Sequence, residues 1–249
     1  MKNIKIILVE PAGALNIGSI ARVMKNMELT QLVVVNPQCD PTGEEARIMA
    51  VHAQDVLDNM VIAQDLPTAL KGCQRAIATT ARSRSLPTVL ESPQKALPWL
   101  LDTNIASALI FGPENRGLNN QELNYGQRFV GIQSNPDYPS LNLAQAVGIC
   151  SYELYQAFLS LNIDKSLAYD RLQSNPTLAQ NAPVEAVEAY YEDLQSLLLD
   201  IGYLYPHTTS TRMAKIRRLY NCANLKKEDV SMLRGMVRQM RWAIAKDRS

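Results

Sequence analysis

Ile4-Lys-Ile-Ile-Leu-Val9, followed at once by Glu10-Pro-Ala-Gly-Ala-Leu-Asn16-Ile-Gly-Ser-Ile-Ala-Arg22, decides how this chain is read. The first six residues form an apolar run broken only by Lys5, the pattern of a strand buried on both faces of a parallel sheet. The loop that leaves it passes through Gly13 into a helical pattern over residues 17–27. Two more loops leave strand-like runs in the same way. Gly112-Pro-Glu-Asn-Arg-Gly117 follows the run 106–111, and Ser134-Asn-Pro-Asp-Tyr-Pro-Ser140-Leu-Asn142 follows the run 129–132. In open α/β sheets ligands bind in loops at the carboxyl ends of strands, so the three segments read as parts of one site.

Working outward, residues 32–35 and 75–78 supply two further candidate strands. Helical patterns lie at 44–56, 66–71, 93–101 and 142–161. Alternating strand and helix predict an α/β domain with a largely parallel sheet over residues 1–161. Residues 162–183 turn polar, with Ser174-Asn-Pro176 and Asn181-Ala-Pro183 as loop or helix-start signals, and read as a linker. Residues 184–201, 209–223 and 227–245 carry helical periodicity and predict a small helical C-terminal domain over 184–249. Thr208, Thr209 and Ser210 are its candidate N-caps, and Glu228 and Asp229 give its last helix an acidic first turn.

Composition narrows the classes of function. In 249 residues, 47% of them hydrophobic, no apolar stretch is long enough to span a bilayer. The opening lacks a secretory signal pattern, and a cytoplasmic location is expected. Cys39, Cys73, Cys150 and Cys222 are scattered without a Cys-x-x-Cys pair, and only His52 and His207 could join them, so neither a disulfide framework nor a metal centre is expected. The net charge of +1 hides a contrast. Residues 164–200 hold seven acidic side chains against two basic ones, whereas residues 205–249 hold eleven basic against three acidic. A basic segment is the expected footprint of a polyanion-binding surface, or else of solvated helix faces.

The motif loops are rich in polar groups but offer no histidine, cysteine or metal pair for nucleophilic catalysis. Free N–H groups where a helix follows Gly13 suit an anion, small Gly18 and Ser19 allow close approach, and Arg22 offers a planar charged fork for an RNA phosphate. Alternatively Asn16 is an N-cap and Arg22 an exposed helix residue. Glu114 could accept hydrogen bonds from hydroxyls or amines, Gly112 and Gly117 could let a planar or sugar-bearing ligand approach, and Asn119 could cap a following helix. Ser140 and Asn142 supply a hydroxyl and an amide at a helix start, where capping is the bland role. Neither Gly-x-Gly-x-x-Gly in the first turn nor Gly-x-x-x-x-Gly-Lys-Ser/Thr is present, which excludes a dinucleotide oxidoreductase and a P-loop NTPase.

In family order, Asn16-Ile-Gly-Ser-Ile-Ala-Arg22, Phe111-Gly-Pro-Glu114-Asn-Arg-Gly-Leu118 and Ser140-Leu-Asn142-Leu-Ala resemble motifs 1, 2 and 3 of the SpoU-type branch of the SPOUT class, S-adenosylmethionine-dependent RNA 2'-O-ribose methyltransferases. Within that branch, Thr79-Thr-Ala-Arg82-Ser-Arg84, Asn135-Pro-Asp-Tyr138 and the basic helical tail are similar to the enzymes that methylate cytidine or uridine 32 of the tRNA anticodon loop. The resemblance covers residues 1–160 and, more loosely, the tail. Leu15, Pro113, Asn115 and Pro139 depart from the usual residues of those motifs.

The resemblance implies a trefoil-knotted fold, a homodimer formed through the knotted region and a tRNA partner. Its cofactor, S-adenosyl-L-methionine, would be bound by Thr79, Thr80, Ala81, Gly112, Ile132, Pro139, Ser140 and Leu141. Asn16, Arg22, Glu114, Ser140 and Asn142 match the polar motif positions, with Arg22 and Ser140 the leading catalytic candidates. Arg22, Arg82, Arg84, Arg212, Lys215, Arg217 and Arg218 are the expected RNA contacts. Leu219, Met232, Leu233, Met236, Met240 and Trp242 are expected as core or dimer contacts. Two alternatives stay open: the same chemistry on another tRNA or rRNA nucleotide, and an RNA-binding protein without methyl transfer.

Overall fold

A computed structural model describes residues 1–81, 89–102, 104–168, 181–223 and 225–247, with the side chains of 162–168 and 247 left aside. The chain falls into two compact units, Met1–Asn175 and Pro176–Ser249. No helix among the described residues is long and apolar enough to cross a membrane.

In the first unit β1 (Ile4–Val9), β2 (Gln31–Val35), β3 (Val61–Ala63), β4 (Arg75–Thr79), β5 (Leu90–Glu91), β6 (Ser107–Phe111) and β7 (Arg128–Val130) make one sheet in the order β3-β2-β1-β6-β4-β7-β5. Every pairing is parallel. Ile6, Ile7 and Leu8 are completely buried, and so is all of β6, as expected of central parallel strands covered on both faces. The sheet has two strands more than the sequence pattern indicated. At three and two residues, β3 and β5 are too short to display a period, and both lie at the edges.

The helices are α1 (Ala14–Asn26), α2 (Glu44–Ala50), α3 (Gln54–Asp58), α4 (Leu66–Leu70), α5 (Pro93–Ala96, continued by a 3-10 turn Leu97–Leu101), α6 (Asn120–Leu123) and α7 (Leu143–Ala168). The helical pattern expected over 44–56 is cut in two where Val51 adopts φ 52°, a conformation that ends an α-helix. Helix α7 runs on to Ala168, seven residues into the segment read as linker; the rest of that segment up to residue 180 lies outside the described residues. Gly18 packs α1 on α2 so tightly that a Cβ there would stand 2.1 Å from the Ala46 carbonyl oxygen. The close approach expected at Gly18 is therefore to backbone rather than to a ligand.

The second unit contains α8 (Val184–Asp200), α9 (Thr209–Asn221) and α10 (Lys227–Asp247). Tyr190, Tyr191, Leu197, Leu204, Met213, Val230 and Val237 form its buried centre. Of the apolar residues expected as core or dimer contacts, Leu233 packs against this centre, whereas Leu219, Met232, Met236, Met240 and Trp242 are about half exposed or more and are not part of it. Helical spacing allows two apolar stripes on α10, and Val230, Leu233, Val237 and Ile244 occupy the inward one. Thr208 stands at the N-cap of α9 without capping it. Its hydroxyl, like that of Thr209, donates instead to the Tyr205 carbonyl oxygen.

Candidate functional site

Adjacent strands β1, β6, β4 and β7 bring their carboxyl ends together. Here the strand order reverses, since β6 is inserted between β1 and β4, and such switch points open a crevice between diverging loops. The crevice is lined by Thr79, Thr80, Ala81, Gly112, Ile132, Pro139, Ser140 and Leu141, together with Phe111, Glu114 and Val130, and holds about 820 Å3 of unfilled space open to solvent.

Strand β1 leaves the sheet through Glu10, whose φ of 47° is left-handed. The Glu10 amide donates to the Val35 carbonyl at 2.8 Å. Gly13 is the N-cap of α1, so Asn16 sits in the first turn rather than capping it. Its side chain turns across to the second loop. Asn16 Nδ2 donates to Glu114 Oε1 at 2.7 Å, and the amide of Ala12 donates to Glu114 Oε2 at 3.1 Å. Because a carboxylate only accepts, it fixes which way the Asn16 amide faces. Asn16 Oδ1 then accepts from Asn142 Nδ2 at 3.0 Å, and Asn142 Oδ1 accepts from the amides of Ala144 and Gln145, capping α7. One hydrogen-bonded line thus runs from motif 2 through motif 1 to motif 3, and Asn142 both caps a helix and belongs to the site.

The second loop closes on itself. The Gly117 amide donates to the Pro113 carbonyl at 2.8 Å, and a Cβ on Gly112 would stand 2.2 Å from the Leu118 nitrogen. Gly117 takes φ 66°, which a residue with a side chain rarely adopts. The Gly112 requirement is therefore intraloop packing, although the residue also lines the crevice. Arg116 donates to Glu122 Oε1 and Oε2, each at 2.8 Å, and to Glu10 Oε2 at 2.7 Å. Its hydrogen bonds to Glu122 push the Arg116 guanidinium further above its ordinary value, against partial burial, with Glu10 adding to the rise. Asn119 and Glu122 cap α6 reciprocally.

Sequence pattern alone does not single out Glu10, Arg116 or Glu122. The Asn-x-x-Glu spacing of a capping box could have revealed Glu122, but nothing local joins Glu10 to a residue more than a hundred positions away.

In the third loop Asn135 holds the turn through the amides of Asp137 and Tyr138, and Ser134 Oγ donates to the Pro139 carbonyl. Ser140 is exposed at the rim. On the neighbouring strand, Thr79 Oγ1 donates to the Ile110 carbonyl at 2.9 Å. Cys39 lies behind the site, and burial, with Glu114, Asp40 and Glu45, pushes its thiol up, away from a thiolate nucleophile. No cluster among the described residues could hold a metal ion.

Residues 3–152 match the SpoU rRNA Methylase family. The chain belongs to the SpoU methylase family. Residues 185–249 of this SpoU methylase match a second family, described as the tRNA methyltransferase TrmJ, C-terminal domain. The chain is 37% identical over 239 residues to the tRNA (cytidine/uridine-2'-O-)-methyltransferase TrmJ of Klebsiella pneumoniae, spanning 95% of this chain and 96% of that one. It is 36% identical over 241 residues to the tRNA (cytidine/uridine/adenosine-2'-O-)-methyltransferase TrmJ of Pseudomonas aeruginosa, spanning 95% and 93%. Among solved structures, TrmJ from Z. mobilis ZM4 superposes with a TM-score of 0.82 at 27% identity, over 95% of this chain and 98% of that one. The protein is an RNA methyltransferase with a seven-stranded parallel sheet and a helical C-terminal unit.

The cationic residues of this SpoU methylase are not equally available. Arg22 is exposed and makes no ion pair among the described residues. Arg82 and Arg84 lie outside those residues. In the second unit Arg212 donates to the Tyr203 carbonyl and stands over the Tyr203 ring, and Lys215 is exposed. Arg218 is half-buried and engaged within the chain. Arg217 departs most from the RNA contact expected of it. Its guanidinium donates at 2.6 Å to both Glu188 oxygens and covers the Tyr191 ring, with the side chain 19% exposed. The apolar floor supplied by Tyr191 draws this arginine into the helix packing. Burial pushes the Glu188 carboxyl up, and the Arg217 hydrogen bond opposes that shift.

Proposed function

We propose that the enzyme transfers a methyl group from S-adenosyl-L-methionine to the ribose 2'-hydroxyl of cytidine or uridine 32 in the tRNA anticodon loop. The observation that carries this reading is the hydrogen-bonded line Glu114–Asn16–Asn142 at the crevice mouth, one α-helical turn and a half from Arg22, which makes no ion pair among the described residues. The tRNA-directed names of its relatives and the match of its tail to a tRNA methyltransferase domain support the substrate class. Adenosine, named for the Pseudomonas relative, is a candidate base beside the two pyrimidines.

The lining of the crevice suits the cofactor. Apolar Ile132, Leu141, Val130 and Phe111 border it, and polar Thr79, Thr80 and Ser140 stand among them. Thr79, Thr80, Ala81, Gly112, Ile132, Pro139, Ser140 and Leu141 would hold the cofactor, which supplies an electrophilic methyl group on a sulfonium centre. The protein's share is orientation and proton handling. A guanidinium stays protonated in proteins, so Arg22 is not the base. It anchors the adjacent phosphate and polarises the 2'-hydroxyl, and the proton leaves to that phosphate or to water. Asn16, fixed by Glu114, and Asn142 present a set amide arrangement to the ribose, with Ser140 beside them.

The same reading includes the knotted chain path, a homodimer, a linker ahead of the helical domain and a role for that domain in gripping tRNA or supporting the dimer. The test is the pair Arg22→Lys and Arg22→Ala. Anchoring predicts that lysine, a point charge without the fork, retains part of both tRNA binding and methylation, and that alanine loses both together. Full binding with abolished methylation in Arg22→Lys would contradict phosphate anchoring as the main role of Arg22.

A further inference from the structure

The segment between α8 and α9 displays two aromatic rings that the core does not use. Gly202, at φ 73°, turns the chain at the end of α8. Leu204 enters the core at 2% exposure, while its neighbours Tyr203 and Tyr205 are 55% and 53% exposed. Three donors converge on the Tyr205 carbonyl: the Thr208 amide at 2.9 Å, the Thr208 hydroxyl at 3.2 Å and the Thr209 hydroxyl at 2.8 Å. The Leu204 amide is tied to the Leu198 carbonyl at 2.9 Å. The rings are thus carried on backbone fixed at both sides. Each also has a planar neighbour. The Arg212 guanidinium stands 5.5 Å from the Tyr203 ring centre, anchored on the Tyr203 carbonyl, and the His207 ring stacks on Tyr205 at 6.0 Å and 21°.

Exposed aromatic rings interleaved with cationic groups are the means by which proteins hold unpaired nucleotides, because every base has a π-face and every linkage a charge. Lys215 and Leu219, three and seven residues beyond Arg212, share its face of α9, and both are exposed. The stretch from residue 205 to the end is strongly basic, which favours a nucleic acid over an acidic-poor peptide as the occupant. We infer that Tyr203, Tyr205 and His207, with Arg212 and Lys215, form a stacking platform for unpaired bases of the RNA substrate. The inference rests on the reading of the protein as an RNA-modifying enzyme and adds to it the unpaired base as what the helical unit recognises.

The test measures binding of the full-length protein to a fluorescent single-stranded RNA oligonucleotide and to a duplex of equal length, over a range of salt. Tyr203→Ala combined with Tyr205→Ala is expected to weaken single-strand binding by at least about 5-fold, since a lost base stack accounts for about 5- to 150-fold, and to leave the duplex and the salt slope unchanged. Tyr203→Phe with Tyr205→Phe keeps the affinity, and Tyr203→Leu with Tyr205→Leu, which keeps bulk without a π-face, loses it. Lys215→Ala lowers the salt slope by about one phosphate contact instead. Single-strand binding that is absent, or unchanged by the alanine and leucine pairs, or lost equally on the duplex, overturns the inference. Methylation of tRNA by the unaltered enzyme is read in parallel. Methylation with tyrosine-independent single-strand binding removes the platform and leaves the function, and the converse removes the function alone.

Discussion

Glu10 holds a left-handed backbone without being glycine, and the same residue meets Arg116. A conformation of that kind costs on the order of 1–3 kcal/mol and persists where its surroundings impose it. Here the fork of Arg116 ties Glu10, at the end of β1, to Glu122, at the start of α6, across the loop that carries Glu114. Arg116→Ala leaves two carboxylates without their shared cation and frees the loop. It is expected to lower kcat/KM for methylation by about 10- to 100-fold, the scale of a 1 Å misplacement, with Arg116→Lys between the two because an ammonium cannot fork; steady-state kinetics at varied cofactor concentration read this. Glu114→Gln replaces an acceptor with a donor facing the Ala12 amide or Asn16 Nδ2. Hydrogen bonds to charged groups contribute about 1.5–3 kcal/mol to stability, so the melting temperature should drop by several degrees, and with the orienting line broken activity should fall by more than about 10-fold. Equal activity of Glu114→Gln and the unaltered enzyme would remove Glu114 from the orienting line.

The elements of the sheet carry two further expectations. Gly18 exists for the α1–α2 contact, and Gly18→Ala must push back the Ala46 carbonyl. Overpacking of that sort costs about 1–3 kcal/mol, seen as a lower urea midpoint; an unchanged midpoint would mean the contact is looser than described. At the other edge, the two-residue strand β5 is held by Glu91, which accepts from Arg128 Nε and Nη2 at 2.8 and 2.6 Å. The Arg128 hydrogen bonds hold the Glu91 carboxyl below the usual carboxylate range, against the effect of burial. A depressed folded pKa means stability that is present above the ordinary value of about 4.3 and lost as pH falls through the folded value. Melting temperature should therefore drop on acidification below about pH 4.5, and Glu91→Gln should flatten that part of the profile. A parallel profile in the variant would assign the acid loss to other carboxylates.

These elements also mark where sequence reading succeeds. The apolar runs of β1 and β6 are legible because burial on both faces forces continuous Val, Ile and Leu, and the loops after them are legible because Gly112 and Gly117 cannot be replaced without a clash or strain. Strands β3 and β5 are not, since two or three residues cannot show a period. Asn16 is recognisable as a polar motif residue, but its partner Glu114 is supplied by strand order, which local patterns do not encode. Arg217 shows the opposite failure. A basic residue on a helix looks like a phosphate contact until the fold places Glu188 and the Tyr191 ring beneath it.

For the whole molecule, a division of labour follows from the two units. The first supplies the crevice with its line of oriented amides, and the second supplies a surplus of positive charge with exposed tyrosines. Affinity for RNA should fall steeply with salt if the second unit binds through phosphates, and sedimentation should give twice the chain mass if the homodimer forms. The most direct measurement of the central claim is transfer of a labelled methyl group from S-adenosyl-L-methionine to total tRNA from cells lacking this protein, followed by mapping of the modified nucleotide. The account predicts a single ribose 2'-O-methyl group at nucleotide 32 of the anticodon loop. Methylation at another nucleotide would contradict the assigned substrate, and no methylation of tRNA or rRNA would contradict the chemistry itself.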